Sequence, residues 1–162
     1  MRKLFFIASL HICIPFSVSA YQNVPELAQN HFQENGWALL DLYADLLRVP
    51  NVTGELDGLE ETARWIRGQL GRRGVETELL RVEGVAPLVY GRLNGQNATR
   101  TLGIYVHYDG QPVDAAQWKH SPWAPTLYSA MLEDGGNEIP FPKEGENIDP
   151  EWRLYARSAS DD

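Results

Sequence analysis

Residues 105–110 read "YVHYDG". A histidine and an aspartate stand two apart at the end of an apolar run that begins at Thr101, and the fold class turns on whether that run is a strand. In a strand, residues two apart share one face with their backbones about 6.5 to 7 Å apart. His107 and Asp109 would then lie side by side while Tyr108 turns away. That arrangement has two uses. A carboxylate beside an imidazole can fix the tautomer of a metal-ligating histidine and raise its basicity, or the pair can simply close a strand through a hydrogen bond. These three residues by themselves leave both open.

Working outward, the pattern predicts two helices and then strands. Leu39, Leu42, Tyr43, Leu46 and Leu47 recur at helical spacing over residues 32–48, and Pro50 stops the pattern. A second helix is predicted to begin near Asp57, capped by that carboxylate with Glu60 three residues later. It carries Leu59, Ala63, Ile66 and Leu70 on one face and ends at Gly71 or Gly74. "VETELLRV" (75–82), "PLVYGRLN" (87–94) and "TLGIYVHYD" (101–109) read as three strands. The last two would be joined across Asn94-Gly95, and residues 101–109, the most apolar, would form an inner strand. Helices followed by strands imply an α/β layer fold. Residues 110–150, with six prolines and no periodicity, read as one long irregular connection. "WRLYARSASDD" then begins another short strand and turn.

The first twenty residues are of another kind. Arg2 and Lys3 precede an apolar run that ends in the small residues "SVSA", the order of a secretory signal cleaved after Ala20. The run is too short, and too interrupted by His11 and Pro15, to span a hydrocarbon core of about 30 Å. Residues 1–20 are therefore assigned to a signal peptide and 21–162 to the mature chain, exported to a periplasm or secreted. Cys13, the only cysteine, leaves with the signal, so the mature chain can build neither a disulfide nor a thiolate site, and any metal must take nitrogen and oxygen ligands. Losing Arg2 and Lys3 with no anion moves the formal charge from -8 to -10. Such an acidic surface argues against nucleic acid and anionic membranes as partners. A composition of 43% hydrophobic and 22% charged residues is that of an ordinary folded domain.

"YVHYDGQPV", the tryptophans of the following loop ("W", "SPW") and "LYARSASDD" together resemble the zinc aminopeptidase-like family of carboxypeptidase G, acetylornithine deacetylase, succinyl-diaminopimelate desuccinylase, aminoacylase and related dipeptidases. The likeness runs from Trp37 to the last residue. It implies the N-terminal part of a three-layer α/β/α catalytic domain with a mixed sheet, truncated and without the family's lid domain. It also implies two zinc ions and a peptide or N-acyl amino acid substrate. By the same resemblance His107 binds one zinc, Asp109 orients that histidine as part of the catalytic machinery, and Asp161 bridges both ions. Ala156 and Ser158 stand where many members have glycine. The family's Glu-Glu pair, source of the general base and a further ligand, lies a few tens of residues beyond the counterpart of Asp161. The 162-residue chain is accordingly expected to be an inactive fragment, or else a non-catalytic secreted binding protein descended from such an enzyme.

The remaining candidates carry less. Trp118, Trp123 and Trp152 read as packing that pins the loop rather than as a substrate cleft, and His120 as an exposed loop residue. "NVT" at Asn51 and "NAT" at Asn97 match glycosylation acceptors. Ser160 has no base at a recognisable spacing. Val18 and Ala20 occupy the positions that signal peptidase reads, so the exported protein should begin at Tyr21. N-terminal sequencing of the extracytoplasmic fraction checks this, and recovery of Met1 there would refute it.

Overall fold

The computed structural model describes residues 23–160; the segment read as a signal, residues 1–20, and Asp161 lie outside them. Helix α1 spans Val24–Leu47 and begins eight residues before the predicted start. Pro25 in its first turn supplies a ready-made helical φ, and Glu26 faces the positive end of the dipole. Residues 24–34 are exposed throughout, although Val24, Leu27, Ala28 and Phe32 continue the helical spacing toward the N-terminus. Helix α2, Leu56–Arg72, has Glu55 at its N-cap with no side-chain cap, and Asp57 sits inside the first turn rather than capping it. Its end is set by Gly74, whose φ of +79° admits the left-handed turn that glycine favours. Across that turn the Val75 N–H donates to the Leu70 carbonyl at 3.2 Å.

Strands β1 (Glu76–Leu80) and β2 (Leu88–Arg92) pair antiparallel, with Glu78 opposite Tyr90, and α2 packs on this hairpin. Arg81, just past β1, makes a two-pronged contact with Glu60 of α2, and Arg64 joins the same carboxylate at 2.8 Å. The hydrogen bond from Arg81, ahead of the charges of both arginines, holds the Glu60 carboxyl below its usual range. Ala44 and Leu47 of α1 and Leu59, Thr62 and Ala63 of α2 are buried, and the two helices touch.

The stretch predicted as one long loop contains two strands. β3 (Thr126–Tyr128) lies between β4 (Glu138–Ile139) and β5 (Arg153–Tyr155) in an antiparallel sheet. Strands of two or three residues are too short to show alternation, which is why they escape a pattern search. Leu127, Tyr128 and Ala156 are buried here, and Tyr128 meets Tyr155 edge to face at 5.2 Å between ring centres. The molecule is thus mixed α/β, with two small antiparallel sheets among the described residues.

The predicted inner strand does not form. Residues 101–109 join no ladder, the chain turns at Gln96-Asn97 instead of pairing back from Asn94-Gly95, and Asn97 takes a φ of +55°. Leu102, Ile104, Tyr105 and Val106 are 79–86% exposed. Apolar character states what a run needs, not which strand will cover it; among the described residues β2 pairs on one edge, with β1.

One glycine is fixed by close approach. A Cβ on Gly58 would stand 2.5 Å from the Pro50 carbonyl oxygen, where α2 passes the chain leaving α1. Alanine favours a helix over glycine by about 1 kcal/mol, but forcing the backbones apart costs about 1 to 3 kcal/mol. Gly58→Ala should therefore destabilise the protein, read as a lower urea midpoint; a raised midpoint would mean that the Pro50 contact yields freely.

Candidate functional site

The centre of the site is the short connection between the helices. Asn51-Val52-Thr53 lies alongside Asp109-Gly110 as an isolated parallel bridge. Gly110 donates its N–H to the Asn51 carbonyl at 2.8 Å, and the Thr53 N–H donates to the Gly110 carbonyl at 2.8 Å. Side chains extend the tie. The Asn51 amide nitrogen donates to the Tyr108 carbonyl at 2.8 Å, and its oxygen accepts from the Ser158 hydroxyl at 3.1 Å. The Thr53 hydroxyl stands 3.0 Å from both Asp109 Oδ2 and the Gly110 carbonyl, and shares its one proton between them.

His107 and Asp109 come together as predicted, although no strand holds them. His107 Nδ1 lies 3.2 Å from the Asp109 carbonyl oxygen and 3.6 Å from Asp109 Oδ1. Of these two oxygens the main-chain carbonyl is the one within hydrogen-bond reach of the ring. Both side chains are about half exposed. Tyr108 turns elsewhere, donating from its hydroxyl to the Pro87 carbonyl. Burial, followed by the charges of Asp109 and Glu60, raises its phenol above the ordinary value, so it remains a neutral donor at physiological pH.

The turn that leads to Asp161 is held against the same place. Tyr43 of α1 donates to the Ser158 carbonyl at 3.3 Å, and the Arg157 guanidinium donates to the Gln111 carbonyl. Comparison with protein-family models, curated proteins and solved structures finds no match for this chain. The chemistry therefore rests on these residues. Among the described residues no three histidine, cysteine, aspartate or glutamate side chains stand close enough to hold a metal together. The donor types of the pair, an imidazole nitrogen and a carboxylate oxygen, are nevertheless among those that zinc takes.

The lesser candidates sort out by their surroundings. His120 is exposed as predicted yet not idle, since its Nε2 lies 3.0 Å from Glu138 of β4. Trp118, Trp123 and Trp152 are half-buried. Asn51 is buried with its amide engaged, so in the folded protein it is no glycan acceptor, whereas Asn97 is exposed on its turn. Asn51, Thr53 and Ser158 are the functional positions missed by sequence reasoning. Their partners lie 57 and 107 residues away, so no local spacing marks them. Removing a partner from a buried polar group typically costs about 1 to 3 kcal/mol. Asn51→Ala should cost that much in chemical denaturation, because it strands the Tyr108 carbonyl and the Ser158 hydroxyl together. A variant as stable as the parent would show that water replaces the amide.

Proposed function

We propose that this chain carries the His-x-Asp portion of the zinc site of an exported peptidase or amidohydrolase, acting on peptide or N-acyl amino acid amide bonds. Its setting would be a three-layer α/β/α catalytic domain with a mixed sheet. The observation that carries the reading is the juxtaposition of the pair: His107 Nδ1 lies 3.2 Å from the Asp109 carbonyl oxygen and 3.6 Å from its carboxylate, both side chains half exposed. The exposed apolar run ahead of it supports the same reading, since in such a domain residues 101–109 would be an inner strand covered on both faces.

In this reading His107 holds the metal through Nε2 and Asp109 keeps the ring in the required tautomer. Asp161, outside the described residues, is assigned the bridging carboxylate. Zinc, when bound, polarises the scissile carbonyl and lowers the pKa of its water. His107 and Asp161 fall short of the three protein ligands that even one catalytic zinc takes. The 162-residue chain should thus bind zinc weakly and hydrolyse nothing measurable at neutral pH.

Equilibrium dialysis with zinc, alongside assays on dipeptides and N-acyl amino acids, tests both statements. His107→Ala should abolish specific zinc binding. Asp109→Asn keeps the size but loses the charge, and should weaken binding by about 10- to 100-fold, the usual effect of losing the group that orients a ligand. Chelator-sensitive turnover by the parent chain would defeat the claim of inactivity. Zinc binding indifferent to both substitutions would return the pair to a hydrogen-bonded chain end and leave the non-catalytic reading standing.

A further inference from the structure

From the surroundings of the two Asn-Gly pairs in this chain we infer that Asn94 is a self-modifying site, which converts to aspartate and isoaspartate in the folded protein while Asn35 is held back by its helix. The inference is independent of the zinc reading. In this chemistry the backbone nitrogen of the residue after an asparagine attacks the side-chain carbonyl carbon. The N–H proton passes to solvent base, the Cγ–Nδ2 bond breaks and Nδ2 leaves as ammonia, so that a cyclic imide closes. Water then opens the imide. Breaking the nitrogen's bond to Cγ gives aspartate, whereas breaking its bond to the main-chain carbonyl carbon routes the chain through Cγ as isoaspartate. In sum an amide and a water become a carboxylate and an ammonium ion, with no oxidant or reductant. Glycine after the asparagine favours closure, because it has no side chain to crowd the attacking nitrogen and its backbone turns freely.

Sequence makes the two pairs alike; structure separates them. Asn35-Gly36 lies inside α1, where the Gly36 N–H belongs to the helical ladder and Gly36 is buried. The Asn35 amide nitrogen is itself engaged, 3.1 Å from the His31 carbonyl oxygen. Closing an imide there would break the helix. Asn94-Gly95 begins two residues past the end of β2, outside every helix and strand, and both residues are exposed. Among the described residues neither the Asn94 amide nor the Gly95 N–H has a hydrogen-bond partner, so nothing must be broken before attack. The β1–β2 ladder ends at Arg92, ahead of the altered bond, and the hairpin therefore survives the conversion.

Incubation of the 162-residue chain in mildly alkaline buffer, natively and unfolded in guanidinium chloride, tests this. Peptide mapping with fragmentation that separates Asn94 from Asn97 reads each site. Unfolded, both Asn-Gly pairs should convert; natively, Asn94 should convert at close to its unfolded rate while Asn35 stays intact. Gly95→Ala should slow conversion at Asn94 severalfold in both states. A Cβ there meets only the Ala98 methyl, at 3.4 Å, and the Gly95 φ lies outside the left-handed region, so the variant keeps the fold. Native protein that retains Asn94 while the unfolded sample loses it would overturn the inference, as would native conversion at Asn97 in its place. Equal native loss at Asn35 and Asn94 would overturn it too, by removing the helix from the selection. Parental conversion in Gly95→Ala would do the same, since it excludes attack by the Gly95 nitrogen.

Discussion

The side-chain amide of Asn51 sits where three distant pieces of chain meet: the link between the helices, the end of the apolar run and the turn after β5. Each of these pieces is irregular, and none has a ladder of its own to hold it. A buried amide offers donors and an acceptor in fixed directions, and a polar group buried without partners is costly. The partners must therefore come to it. Together with the parallel bridge between Val52 and Gly110, this makes a polar staple where a larger protein would use an apolar core.

The staple matters because the apolar cores are small. Ala44, Leu47, Leu59 and Ala63 form one, Leu127, Tyr128 and Ala156 another, and alanine contributes little area to either. Fully burying a large aliphatic side chain is worth about 1.5 to 3 kcal/mol, yet Leu102, Ile104 and Val106 leave that stabilisation unrealised. Exposed, unpaired and apolar, this run is the part of the fold most ready to accept a further strand or layer. It leads directly into His107, so whatever covers it also steadies the site.

Charge does comparable work on the other face of α2. Glu60 accepts from Arg81 and Arg64, tying the β1–β2 hairpin to the helix, and its charge acts in turn on Tyr108. The pKa of that tyrosine's phenol is raised chiefly by its burial, with the charges of Asp109 and Glu60 adding to it, and its hydroxyl donates to the Pro87 carbonyl.

Local chemistry determined a good deal. Apolar spacing located most of both helices, two glycines, Gly71 and Gly74, bracketed the end of the second, and alternation found β1 and β2. The two-residue spacing of His107 and Asp109 was enough to bring imidazole and carboxylate together, since neighbours that close meet in any extended backbone. Tertiary structure decided what depends on distant partners. It left residues 101–109 unpaired, because a strand exists only where another strand meets it. It built a sheet from segments of two and three residues, too short to carry a period. It also made a glycosylation-like asparagine the keystone of the site, because the carbonyl and the hydroxyl that Asn51 binds come from parts of the chain that only folding brings within 3.1 Å of it.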